Sequence, residues 1–127
     1  MEIKIYYKDT DCGGVVYYAN YLKYFEMGRT EWLEDKGVSV KQAAENGILF
    51  VVKDAYVNYK SPARYQDIVK VETIPDKIGK VSLNFKYRIT NKKTGLLLVT
   101  GRTKLGIISK KMKPVRLPKN LYDRLTT

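Results

Sequence analysis

Hydrophobic and polar residues alternate at the start of the chain. Ile3, Ile5 and Tyr7 are separated by more polar neighbours, so that the apolar positions recur every second residue. A period of two places these side chains on one face of an extended backbone. The pattern therefore predicts a half-buried strand over residues 2–8.

A helical period follows the next loop. Four residues recur at i, i+4, i+7 and i+11 and so share one face of a helix: Tyr21, Phe25, Gly28 and Trp32. Asn20 is a suitable N-cap, and Lys36 followed by Gly37 is suited to end the helix. Glycine inside a helix is unfavourable by about 1 kcal/mol relative to alanine, so Gly28 predicts the close approach of a strand. This longest helix is expected to lie in the core.

The rest of the chain has mostly the pattern of strands. A short helix is predicted over 39–46, and strands over 48–59, 67–74, 80–90 and 96–107. Turns are predicted at 75–79 and 91–95, where Pro and Gly or Asn and Gly interrupt the apolar pattern. Residues 110–118 are expected to form an extended basic tail, followed by a last helical turn at 119–125.

These elements define a fold class. Five strands, four of them consecutive and joined by short loops, favour an antiparallel sheet. The single long helix must bury its apolar face against that sheet, which gives an α+β architecture. A chain of 127 residues has the size of one domain, predicted over 1–127, and buries roughly two-thirds of its unfolded surface.

The junction between the first strand and the long helix carries the candidate chemistry. Asp9 and Asp11 precede the pair Gly13 and Gly14, and the helix starts a few residues later. The first turn of a helix has N–H groups without internal partners, and their positive field favours a carbonyl oxygen and a nearby carboxylate anion. One junction would therefore supply both an oxyanion site and a base.

A nucleophilic thiol is a weaker hypothesis. Cys12 is the only cysteine, and the chain has no histidine to activate it. We therefore expect Cys12 to be a small buried packing residue. A zinc site is not expected either, because its usual ligands are missing.

Several motifs resemble those of one family. They are D-T-D-C-G-G-V-V-Y at 9–17, A-N-Y at 19–21, F-E-M-G-R-T-E-W-L at 25–33, F-V-V-K at 50–53, Y-K-S-P-A-R at 59–64 and K-M-K-P-V-R-L-P at 111–118. In this order they resemble the 4-hydroxybenzoyl-CoA thioesterase family of HotDog-fold enzymes, and within it the YbgC-like acyl-CoA thioesterases. The resemblance covers nearly the whole chain.

The resemblance implies a fold, an assembly and an activity. The HotDog fold is a five-stranded antiparallel sheet wrapped around one long central helix, and its members pair side by side into a homodimer with a continuous ten-stranded sheet, often doubled to a homotetramer. The implied activity is hydrolysis of an acyl-CoA thioester without a cofactor. The alternative is a non-catalytic module that binds acyl-CoA or an acyl-carrier protein.

The resemblance also implies site residues. Asp11 corresponds to the carboxylate that acts as nucleophile or general base, and the oxyanion donor falls on a backbone N–H near Tyr18. The YbgC-like branch typically has His where this chain has Tyr18, so a role that depends on the His side chain is not carried over. Asn20 is expected either to cap the helix or to contact substrate. Arg64 either pairs with an acidic group or approaches the nucleotide.

Charge and hydropathy constrain the partners and the location. The net charge is +11, with −3 on residues 1–35 and +14 on the remainder. CoA phosphates would account for this basic surface as well as nucleic acid would, but the tyrosines fall mostly at core periods, so no nucleic-acid partner is expected. No apolar run reaches the ~18 to 20 residues of a membrane span. The strand-like N-terminus does not resemble a signal peptide, and a cytoplasmic location is expected.

Overall fold

A computed structural model describes all residues, 1–127. Its elements in chain order are β1 (Glu2–Lys4), a 3-10 turn (Tyr7–Asp9), α1 (Asn20–Asp35), α2 (Val40–Glu45), β2 (Leu49–Tyr59), β3 (Ile68–Ile78), β4 (Ser82–Asn91), β5 (Leu97–Ile108) and α3 (Lys119–Leu125). The five strands form one antiparallel sheet in the order β1-β3-β4-β5-β2. The predicted α+β class, with one long helix and a five-stranded antiparallel sheet, is confirmed.

Helix α1 lies on the inner face of the sheet. Its buried side is formed by Tyr21, Tyr24, Phe25, Gly28 and Leu33. The ring of Phe25 stacks on the ring of Tyr87 in β4, with centroids 4.3 Å apart and planes 8° from parallel. Both side chains are almost fully buried. The predicted helical face is thus the face that packs on the sheet.

Two glycines allow α1 to lie close to the sheet. A Cβ atom on Gly28 would lie 2.5 Å from the Thr73 hydroxyl oxygen in β3, which confirms the predicted close approach of a strand. A Cβ atom on Gly101 in β5 would collide with the ring of Phe25. The helix axis is therefore held near the sheet at both β3 and β5.

The first strand is shorter than predicted. It ends at Lys4, and the chain turns at Tyr7–Asp9 instead of continuing to residue 8. The carboxylate of Asp9 accepts the N–H of Tyr6 at 2.9 Å, so this N–H is diverted from a strand ladder into the turn. Tyr7 is consequently 76% exposed rather than half-buried.

The third strand is longer than predicted, since β3 continues through the turn expected at 75–79. A bulge between Pro75 and Lys77 lets the strand pass the proline. Because β1 pairs with β3 only at Ile68–Lys70, and Met1 extends the contact to the backbone of Val71, β3 has no backbone partner on that side beyond Val71. Proline is tolerated at such a local edge, where its missing N–H leaves no ladder bond unmade.

The remaining predictions are mostly confirmed, including the loop at 91–95 and the last helix. After a turn at 110–112 the chain runs extended, and Leu117 donates its N–H to the carbonyl of Lys80. Two details differ. Ala19, not Asn20, occupies the N-cap of α1. Cys12 is exposed, because it lies at the tip of a loop rather than in the core.

Candidate active site

The loop between the 3-10 turn and α1 is a tight hairpin that presents Asp11. Thr10 and Val16 pair across it, and the N–H of Asp11 donates to the Val15 carbonyl at 2.9 Å. Gly14 has a φ of 78°, a conformation that glycine adopts without strain, and its N–H closes the turn on the carbonyl of Asp11. The two glycines of the motif thus build the tip that carries the carboxylate.

The Asp11 side chain has one engaged and one free oxygen. Oδ1 accepts the N–H of Gly13 at 2.8 Å, a local bond that is typical of Asp in turns. The second oxygen has no hydrogen-bond partner in the chain, and no Lys or Arg forms an ion pair with the group. The carboxylate is therefore oriented by the turn and remains available to a ligand.

The start of α1 offers an N–H group without a protein acceptor. The neighbouring N–H of Tyr17 and the side-chain amide of Asn20 both donate to the carbonyl of Asp9, each at 2.9 Å. The N–H of Tyr18 makes no such bond within the chain. An unpaired N–H at a helix N-terminus is a donor that suits a carbonyl oxygen or an anion.

Asp11 and Tyr18 line the same cleft, which has a volume of about 500 Å³. Its other walls come from the hairpin, from α1 and from the segment that follows β2: Val15, Val16, Tyr21, Tyr59, Lys60, Ser61 and Pro62. The lining is largely apolar, with few polar groups, as in most small-molecule sites. The cleft therefore brings Asp11 and Tyr18 together beside an apolar wall.

Three tyrosines form much of that wall. The Tyr59 ring lies 5.9 Å from the ring of Tyr18 and 5.7 Å from that of Tyr21. The Tyr21 hydroxyl accepts the N–H of Ala63 at 3.1 Å. Burial raises the pKa of Tyr21 and of Tyr59, so both phenols stay protonated at neutral pH.

Asn20 and Arg64 lie outside the lining of the cleft. The Asn20 amide holds the Asp9 carbonyl, so its position is structural in this arrangement. The backbone of Arg64 pairs with Val15, and its N–H donates to the Asp67 carboxylate at 2.9 Å. The guanidinium of Arg64 forms no ion pair. Of the four predicted residues, the structure brings together Asp11 and Tyr18.

The wall formed by 59–62 was not predicted as part of the site. These residues begin the Y-K-S-P-A-R motif, which was the one available signal, but the candidate taken from that motif was its last residue, Arg64. The structure turns the beginning of the motif, rather than its end, toward the cleft.

No three Cys, His, Asp or Glu side chains come together as a metal site would require. None of the helices combines the length and the apolar character needed to cross a membrane.

Comparison with known proteins identifies the family. Residues 6–125 match the model of the thioesterase-like superfamily. The acyl-CoA thioester hydrolase YbgC of Escherichia coli is 36% identical over 119 residues, which cover 94% of this chain and 89% of that protein. The acyl-CoA thioesterase YbgC of Haemophilus influenzae is also 36% identical, over 121 residues that cover 94% of this chain and 88% of the relative. The chain belongs to the thioesterase-like superfamily.

A solved structure agrees with this assignment. The DHNA-CoA thioesterase from Staphylococcus aureus superimposes with a TM-score of 0.92 at 34% identity, over 99% of this chain and 89% of that one. These similarities confirm the predicted family, the HotDog fold and the predicted class of enzyme, a thioester hydrolase.

Proposed function

We propose that this protein hydrolyses acyl-CoA thioesters to a carboxylic acid and free CoA, without a cofactor, and that Asp11 and the N–H of Tyr18 carry the reaction. The observation that supports this most directly is that Asp11 and Tyr18, which have a free carboxylate oxygen and an unpaired N–H, line one apolar cleft. The relatives named as acyl-CoA thioesterases support the choice of substrate.

In the proposed reaction the thioester carbonyl oxygen accepts a hydrogen bond from the N–H of Tyr18. As a general base, Asp11 takes a proton from water while the water oxygen adds to the carbonyl carbon. The negative charge that develops on the carbonyl oxygen is then stabilised by the N–H. The carbon–sulfur bond breaks, and the leaving thiolate of CoA takes up a proton. As a nucleophile, Asp11 would instead form a mixed anhydride that water hydrolyses.

Both routes require the anion of Asp11, so its removal tests the proposal. Asp11→Asn preserves the shape and the acceptor oxygen for the N–H of Gly13 but removes the negative charge. We expect kcat for acyl-CoA hydrolysis to fall about 10²- to 10⁴-fold, the usual contribution of a positioned acid or base. The fall in kcat is measured from the release of free thiol from a panel of acyl- and aroyl-CoA esters.

Asp35→Asn is the matched control, because Asp35 is an exposed carboxylate that lies outside this cleft, away from the edge of the sheet, and forms no ion pair. It should retain wild-type kcat. Full turnover by Asp11→Asn of the esters that the wild type accepts would refute the role of Asp11. Wild-type binding of acyl-CoA without any hydrolysis would instead favour a non-catalytic module.

We further propose that the enzyme forms the side-by-side dimer that the family resemblance implies. Strand β2 has 11 residues, pairs only with β5 and so leaves one long edge free. Val52 and Tyr56 on this strand are about half exposed. A long edge with apolar side chains favours pairing with the same edge of a second copy. Sedimentation velocity measures the assembly, and a monomer at micromolar concentration would contradict it.

A further inference from the structure

A hydrogen bond from the end of the sheet reaches the start of α1. Tyr59 is the last residue of β2, and its hydroxyl donates to the carbonyl oxygen of Tyr18 at 3.2 Å. The two residues are 41 positions apart in the chain. The bond therefore joins the sheet to the turn that carries the unpaired N–H in the cleft.

The bond acts on the peptide next to that N–H. The Tyr18 carbonyl accepts two hydrogen bonds, from the Tyr59 hydroxyl and from the N–H of Tyr21 at 3.3 Å. Two acceptor bonds fix the plane of the peptide between Tyr18 and Ala19. Only the two soft dihedrals of Tyr18 separate this plane from the peptide that bears the unpaired N–H. The peptide that bears the N–H is also held directly, because its carbonyl, that of Tyr17, accepts the N–H of Asn20 at 2.9 Å. Loss of the phenolic bond would thus remove one of the restraints on the orientation of the N–H and loosen it.

The ring of Tyr59 is held independently of its hydroxyl. It packs against the rings of Tyr18 and Tyr21, and Tyr21 is itself fixed by the N–H of Ala63. Removal of the hydroxyl alone therefore leaves a phenyl ring in the same place. Because burial raises the pKa of Tyr59, the phenol remains a donor over the neutral range.

We propose that Tyr59 is a positioning residue for the thioesterase reaction: its hydroxyl, donated to the Tyr18 carbonyl, holds the Tyr18 N–H in the direction that receives the thioester oxygen. This inference rests on the proposed function. According to this inference, the end of β2 contributes to catalysis together with the hairpin and the start of α1.

Tyr59→Phe tests the proposal, because it removes the bond and retains the ring. We expect kcat/KM to fall about 3- to 10-fold, which corresponds to the loss of one neutral hydrogen bond. Tyr65→Phe is the matched control. Tyr65 is similarly exposed, lies outside the cleft and off the β2 edge, and its ring contacts that of Tyr7, with centroids 5.9 Å apart. Its kcat/KM should not change.

A pair of inert substrate analogues separates positioning from a merely structural role. A ketone analogue of acyl-CoA keeps the carbonyl oxygen, and a thioether analogue lacks it. Tyr59→Phe should bind the ketone several-fold more weakly and the thioether with unchanged affinity. Equal losses for the two analogues, or unchanged kcat/KM in Tyr59→Phe, would overturn the proposal while the proposed function stands. A wild type that hydrolyses no acyl-CoA would overturn both.

Discussion

Gly101 provides a direct test of how α1 rests on the sheet. A Cβ atom there would lie 2.9 Å from the carbonyl oxygen of Tyr56 and closer still to the ring of Phe25, whereas real Cβ atoms essentially never come within 3.0 Å of such neighbours. The Phe25 ring cannot move aside freely, because it is fully buried and stacked on Tyr87. The hydroxyl of Tyr87 is in turn bonded to Thr103 at 2.6 Å.

The magnitude follows from two opposing effects. Overpacking a well-packed core costs about 1 to 3 kcal/mol, and the upper end applies where a ring and a backbone oxygen both block the new atom. Alanine in place of glycine recovers about 0.5 to 1 kcal/mol within a strand. Gly101→Ala should therefore lower the free energy of unfolding by about 2 kcal/mol.

Gly106 in the same strand is the matched control. The three atoms nearest to a Cβ atom on Gly106 would all belong to the side chain of Lys53, at 2.9 to 3.3 Å, and this exposed flexible chain can move into solvent. Gly106→Ala should leave the free energy of unfolding unchanged or raise it by up to about 1 kcal/mol, because the same gain applies and no rigid group blocks the new atom. Urea unfolding at one fixed protomer concentration measures both variants, since self-association would link stability to concentration. Equal effects of the two substitutions would refute the reasoning.

Two further predictions concern buried phenols. The Tyr24 hydroxyl has no hydrogen-bond partner, so Tyr24→Phe should leave the free energy of unfolding unchanged or raise it by up to about 1 kcal/mol. Tyr87→Phe removes the hydrogen-bond partner of the buried Thr103 hydroxyl, so it should lower the free energy of unfolding by about 1 to 2 kcal/mol. Urea unfolding at pH 7 measures both variants. A larger loss of stability in Tyr24→Phe than in Tyr87→Phe would contradict this reasoning. Alkaline pH should also destabilise the protein, because burial and then the charge of Asp9 raise the pKa of Tyr24 above its ordinary value of 10.0. A raised pKa favours the neutral phenol in the folded state, so stability is retained below about pH 10 and falls above it. Tyr24→Phe should show a shallower fall, and equal slopes for variant and wild type would count against this cause.

The long helix shows what a sequence can predict about this fold. The period of Tyr21, Phe25 and Gly28 is a local property, and it indicated both the buried face and the close strand. Pro75 shows the limit. A proline usually ends a strand, but whether its missing N–H matters depends on the length of β1, which is remote in the chain.

The candidate site likewise has one part that the sequence predicts and another part that depends on remote contacts. Asp11 and Tyr18 lie seven residues apart, in the junction between the first strand and the long helix, so a local pattern and a family resemblance were enough to propose them together. Tyr59 could not be found in this way, because its hydroxyl meets Tyr18 only after the sheet has formed. Asn20 was proposed as a cap or a substrate contact, and which backbone group its amide reaches depends on how the hairpin folds back.

The double acceptor at Asp9 has a consequence for how this scaffold can vary. The Asp9 carbonyl accepts both the N–H of Tyr17 and the side-chain amide of Asn20, so the hairpin between Asp9 and Tyr17 is closed at a fixed length. Insertions or deletions there would carry the carboxylate out of reach of the helix start. Diversification of acyl selectivity must therefore proceed by exchanging side chains around a hairpin of constant size, while the loop at 91–95 is free to lengthen.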